Sequence, residues 1–190
     1  MRDKTIEVKN DINEIANYYC DLFVGYSKLS SAQKDAVKDW SKRCFLGNGI
    51  FRFAYAQYIS SEAKKILESL PIDELDLEGW QMEHIVPKSN YGLAKIFELA
   101  EKNPSDEELK TKIPEIVKKE MLVCFVTKEQ NKRLNEVSKD NMTEEFSEEK
   151  QNYFVRYEKA FGMKEDELMK DFFVKIESIQ IKDDKIIING

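Results

Sequence analysis

The chain has 190 residues, 42% of them hydrophobic and 11% aromatic, enough apolar material for a folded domain and too much for a disordered one. The 30 Lys and Arg residues against 36 Asp and Glu leave a net charge of −6, which is awkward for a protein that would grip a polyanion alone. No apolar stretch approaches the roughly 18 residues of a membrane helix, and the charged start Met1-Arg2-Asp3-Lys4 lacks the apolar centre of a signal peptide, so a cytoplasmic protein without a membrane partner is expected.

The pattern is α+β and mostly helical, and is read as a single domain over 1–190 with a helical part at 1–78, a central part at 79–141 and a C-terminal part at 142–190. Asp11 to Val24 carries Ile12, Ile15, Ala16, Tyr19, Leu22 and Phe23 at helical spacing. Ser30 or Ser31 caps a second helix through about Phe45, with Val37, Trp40, Cys44 and Phe45 on one side, and Gly47-Asn48-Gly49 breaks it. A third helix is expected over about Phe51 to Leu70, closed by Pro71. Its Phe51, Tyr55, Tyr58 and Ile59 recur at helical period and read as core rather than as a base-stacking platform.

From Trp80 the period shortens. Gln81 to Val86 reads as a strand ended by Pro87. Two charged helices follow, about 91–101 and 105–119, with Pro104 at a boundary and Pro114 dividing or kinking the second. This insertion, 90–120, is expected to be a substrate or partner lid, or a spacer. Leu122 to Val126 is a short apolar run suited to a strand buried on both faces. Thr127 with Gln130 makes a capping-box pattern, which puts Asn131 in the first turns of the next helix and Asn135 one turn later on the same face. Thr143 should start a helix over about 144–161, stopped by Gly162, and 164–178 continues helical. The tail reads as a hairpin around Asp183-Asp184. Cys20, Cys44 and Cys124 are far apart and form no CxxC pair, so reduced, buried thiols are expected and a structural zinc is not.

The chain's one histidine sits in Trp80-Gln81-Met82-Glu83-His84-Ile85-Val86-Pro87-Lys88-Ser89. A single His removes most zinc and di-iron hydrolases of small substrates, which need several. One imidazole, one carboxylate and one amide do suit phosphodiester hydrolysis. A neutral imidazole takes the proton of the attacking water, and one Mg²⁺ or Mn²⁺, which keeps several waters, needs only a carboxylate and an amide oxygen from the protein. Glu83 and Asn131 match those ligands and His84 the base. Neighbours on a strand point to opposite faces, but a strand end can turn both Glu83 and His84 toward one cleft. Lys132 and Arg133 either contact phosphate or form a solvated helix face, and Lys88 is a further candidate for phosphate.

Glu83-His84-Ile85-Val86-Pro87 with Val126-Thr127-Lys128-Glu129-Gln130-Asn131 resembles the HNH (ββα-metal) endonucleases. The likeness is nearest to the C-terminal nuclease domain of modification-dependent restriction enzymes, with Glu-His-Ile-x-Pro before a Leu-Thr-x-x-x-Asn step. It covers about residues 79–140. The resemblance implies a ββα-metal core of two short antiparallel strands and a helix, DNA as substrate (RNA not excluded), and a setting in bacterial or phage defence or restriction. It departs from the family before the second strand, where an Asn often orients the catalytic His; here stands Glu120-Met121-Leu122. A backbone carbonyl, Ser89 or Asn90 would then hold the imidazole, and Asn135 is an alternative ligand. The acidic balance calls for a protein partner or a homo-oligomer that supplies DNA recognition. The rival reading is a catalytically inactive HNH-like module that binds protein or nucleic acid.

Overall fold

The computed structural model describes residues 6–9, 11–43, 55–74, 80–139 and 141–190. Strand β1 (Ile6–Lys9) precedes α1 (Ile12–Phe23), which begins where the Asp11 carboxylate accepts the Asn13 N–H at 2.8 Å. Ile15, Ala16, Tyr19, Cys20 and Phe23 form its buried stripe. They pack against Leu93, Ile96 and Ala100 of α4 (Gly92–Glu101) and Leu109, Ile113 and Val117 of α5 (Asp106–Glu120). The insertion 90–120 is therefore neither lid nor spacer: its apolar faces are the other half of the core that α1 needs. Pro114 lies inside α5, which runs on through it. In α2 (Ser31–Arg43), Trp40 is 66% exposed and not on a buried side, while Cys44, Phe45 and Phe51 lie outside the described residues.

A four-stranded mixed sheet occupies the centre, in the order β3-β4-β2-β5. Strand β4 (Val123–Thr127) is buried throughout, as a run without polar alternation requires. It pairs antiparallel with β3 (Trp80–His84) and parallel with β2 (Tyr58–Ser60). The expected helix over 51–70 is corrected here. Among the described residues of that range, Tyr58-Ile59-Ser60 is a strand and the α-helix is α3 (Ser61–Ser69). The Tyr58 and Ile59 side chains suit a pleated surface, and the Ser60 hydroxyl stops any earlier helix by accepting the Ala63 N–H at 3.1 Å as the cap of α3. The Gln57 side chain extends the junction by accepting the Val123 N–H at 2.9 Å.

After α6 (Lys128–Val137) the expected helix over 144–161 shrinks to α7 (Val155–Phe161), ended by Gly162 at φ 67°. The reason is local. Asn152 Oδ1 accepts the Ser147 N–H at 2.7 Å and its Nδ2 donates to the Glu145 carbonyl at 2.8 Å, so a side chain takes the partners a helix would use. The expected helix over 164–178 is likewise short. It consists of α8 (Glu165–Glu167) and one π-helical turn to Phe172, before β5 (Phe173–Lys175) pairs with β2. The tail is the expected hairpin, β6 (Ser178–Lys182) and β7 (Lys185–Asn189), and β1 adds to it in the order β1-β6-β7.

The two faces of the central sheet are covered differently. Trp80, Val123 and Phe125 pack with Ala63 and Leu67 of α3 and with Ile179, Ile186 and Ile188 of the hairpin. Cys124 and Val126 pack on the other face with Leu134 of α6, Tyr157 of α7, and Phe172 and Phe173. Cys20 and Cys124 are buried free thiols. No helix among the described residues is long and apolar enough to cross a membrane.

Candidate functional site

The β3–β4–α6 segment is an antiparallel strand pair running into a helix, and it carries every residue singled out for chemistry except Lys88, Ser89 and Asn90, which follow β3 closely. Across the ladder Glu83 lies opposite Cys124 and His84 opposite Val123. Pairing continues past the strand end, because the Ile85 N–H donates to the Leu122 carbonyl at 2.9 Å. An unbroken ladder enforces alternation. Trp80 and Met82 pack on the α3 side, and the pleat puts Gln81 and Glu83 on the α6–α7 side. His84 closes β3, and the Arg156 charge that pairs with Glu83 also bears on its imidazole.

Glu83 retains 18% side-chain exposure and is ion-paired to Arg156 of α7, which is wholly buried. Nη2 of Arg156 donates to Glu83 Oε1, while its Nε and Nη1 are buried without a hydrogen-bond partner. Sequence reasoning missed Arg156. The signal was a lone cation inside Tyr153-Phe154-Val155-Arg156-Tyr157, since a charge among residues bound for a core demands an anion.

His84 is half-buried, and its imidazole has no hydrogen bond among the described residues. Burial, followed by the positive charges of Lys88 and Arg156, pushes its pKa from the usual 6.5 down to about 3. It is neutral at physiological pH. Lys88 is 8% exposed and donates to the Ser41 carbonyl in the last turn of α2 at 3.2 Å, a carbonyl that also accepts the Tyr19 hydroxyl. This tether replaces the exposed phosphate contact expected of it. Nor does Asn90 orient the imidazole: its Nδ2 donates to Asn141 Oδ1 at 3.0 Å, and both Ser89 and Asn90 are exposed.

The capping box at the start of α6 is complete. Thr127 Oγ1 accepts the Gln130 N–H at 3.2 Å and Gln130 Oε1 accepts the Thr127 N–H at 3.1 Å. This fixes the first turn of α6 and aims Asn131, whose Oδ1 is buried without a hydrogen-bond partner. Asn131 and the exposed Asn135 share a cleft of about 480 Å³ with Gln81, Lys128, Lys132 and Glu136. Arg133 is exposed and, like Glu83 and His84, does not line that cleft. Gln81 and Glu83 stand on one face, about 7 Å apart along the strand.

An orphaned buried amide oxygen is what a hard divalent cation takes, and a carboxylate on the same face of the strand pair adds a charged oxygen. Asn131 Oδ1 and the Glu83 carboxylate are the oxygen donors this segment offers a hard cation. The described residues contain no cluster of three or more His, Cys, Asp or Glu side chains of the kind zinc prefers. Comparison with known proteins returns no matching family model, curated protein or solved structure.

Proposed function

We propose that this chain is a metal-dependent endonuclease of the HNH (ββα-metal) type, acting on DNA phosphodiester bonds. The observation that carries the reading is one strand–strand–helix segment supplying a neutral imidazole, a carboxylate and an unpartnered buried amide oxygen. Glu83 and Asn131 would hold a single Mg²⁺ or Mn²⁺, which would polarise the phosphate and stabilise charge on the leaving oxygen.

His84 accepts a proton from the attacking water as its oxygen forms a bond to phosphorus and the bond to the 3′-oxygen breaks. A base with a pKa near 3 is weak. The negative charge of an incoming phosphodiester counters Lys88 and Arg156 and raises it toward the working range. Lys132 and Arg133, exposed on the first turns of α6, are suited to neighbouring phosphates. The net charge of −6 supports a subunit whose partner, or second copy, supplies much of the DNA affinity. A role in bacterial or phage defence follows from likeness to the HNH family alone.

A second reading, a non-catalytic HNH-like binding module, is favoured by two observations. Arg156 already engages Glu83, and the imidazole has no orienting hydrogen bond among the described residues. One experiment separates the readings. Supercoiled plasmid is incubated with wild type and His84→Ala, each with Mg²⁺, Mn²⁺ or EDTA. Metal-dependent nicking by wild type alone supports the nuclease; equal nicking by both removes His84 from the mechanism. Absence of nicking together with no Glu83-dependent Mn²⁺ affinity leaves the binding module.

A further inference from the structure

Arg156 has no task in the mechanism above, yet its setting is costly. It is the second residue of α7, where the positive end of the helix dipole disfavours a cation. Val155 and Tyr157 on either side are buried in apolar clusters, and Arg156 itself is wholly buried, with the Glu83 carboxylate as its contact. Among the described residues, of its three nitrogens Nη2 alone has a partner, and that partner is Glu83. A methionine would fill the same space without burying a charge and two unsatisfied donor nitrogens. Stability gives no reason for an arginine there. What the arginine does provide is a fixed direction for one carboxylate.

We propose that Arg156 is a positioning residue that orients Glu83 for a divalent cation. The inference rests on the metal-site reading given above. Carboxylates that ligate metals are themselves held by hydrogen bonds from behind, and removing such a partner commonly weakens metal binding by about 10- to 100-fold. Here the holding group is a single N–H of a rigid, planar guanidinium, delivered by a helix that packs against α6, the element bearing Asn131. Lysine at this position keeps the charge but not the rigid direction of that donor, so it restores the function in part.

The test is Mn²⁺ affinity, read from the free-ion signal in electron paramagnetic resonance. It compares wild type, Glu83→Gln, Arg156→Met and Arg156→Lys, each checked for folding by circular dichroism. The expected result is Glu83-dependent binding in wild type, weakened about 10-fold or more in Arg156→Met and less in Arg156→Lys. Unchanged affinity in a folded Arg156→Met, beside Glu83-dependent binding in wild type, overturns the inference and leaves the metal site standing. No difference between wild type and Glu83→Gln overturns the metal-site reading itself, and this inference with it. Should Arg156→Met fail to fold, Arg156→Lys decides alone, with weakened affinity supporting the proposal and unchanged affinity overturning it.

Discussion

The Ser60 hydroxyl donates to Gln130 Oε1 at 2.7 Å, joining the cap of α3 to the cap of α6. The same Gln130 accepts the Thr127 N–H and donates through Nε2 to Glu62 at 3.0 Å, so one buried amide fixes two helix starts around the central sheet. Asn131 is the next residue along. Its position is therefore set by a network that reaches across the chain to β2, and not by α6 alone.

Gln130→Ala should cost about 1–3 kcal/mol, because it strands the Ser60 hydroxyl and the Thr127 N–H in a buried setting. Urea unfolding measures this. A change within about 0.5 kcal/mol, the size typical of surface substitutions, would show that the network does not hold the helix start.

Removing one member of the Glu83–Arg156 pair should be worse than removing both. Glu83→Ala leaves a wholly buried guanidinium without its anion and should cost about 3–5 kcal/mol, while Glu83→Gln/Arg156→Met recovers much of the loss. A double-mutant cycle in denaturant gives the coupling. Independent, additive losses would mean that the two charges do not depend on each other. Lost activity in Glu83→Ala would combine lost chemistry with lost stability, which makes His84 the cleaner target.

The depressed pKa of His84 sets a direction for pH dependence. The folded protein holds this imidazole at about 3, below the unfolded value near 6.5, so the unfolded state binds the proton more readily. Stability from this group is whole above pH 6.5 and falls as pH drops toward 3. His84→Gln should therefore flatten the decline of the melting temperature between pH 6.5 and 4 relative to wild type. In nuclear magnetic resonance the imidazole should remain neutral down to pH 5. Titration near 6.5 would show that burial and the two cations do not act as described.

What the sequence disclosed and what it hid divide along range. The Thr127–Gln130 box, the stripe of α1 and the Asp183-Asp184 turn are contacts between near neighbours, and each was legible as a pattern. Tyr58-Ile59-Ser60 was not, because its strand character comes from parallel pairing with Cys124 and Phe125, far along the chain, while its apolar residues also fit a helical period. The same holds for Phe173–Lys175, whose partners are those three residues of β2. Glu83, His84 and Asn131 were legible as reactive types in a family-like order. Arg156 was not, since its importance is a contact with Glu83 formed only on folding.

The hairpin turn offers a stabilising change. Asp183 and Asp184 have φ of 50° and 57°, the left-handed region at both central positions, as a two-residue hairpin turn demands. Asp184→Gly removes the steric penalty and keeps the carbonyl that accepts the Ile72 N–H at 2.8 Å. A gain of about 0.5–1 kcal/mol is expected in thermal or denaturant unfolding. A loss would mean that the Asp184 side chain contributes more than its backbone strain costs.

Asn131 separates stability from function most sharply. Its Oδ1 is buried and lacks a hydrogen bond, a desolvation cost that a purely structural residue at this position would not carry. Asn131→Leu keeps similar volume and removes that cost, so without metal it should be as stable as wild type or about 1 kcal/mol more so. With excess Mn²⁺ the order should reverse. A cation bound to the native state raises the melting temperature in proportion to its affinity, so wild type should gain and Asn131→Leu should not, and only wild type should nick plasmid. Asn135→Leu, altered on the exposed residue one turn along, is the control and should keep the Mn²⁺ shift. If Asn135→Leu abolishes the shift and Asn131→Leu preserves it, the amide ligand is Asn135. If both preserve it, α6 supplies no ligand, and the orphaned oxygen of Asn131 is a cost without a metal to offset it.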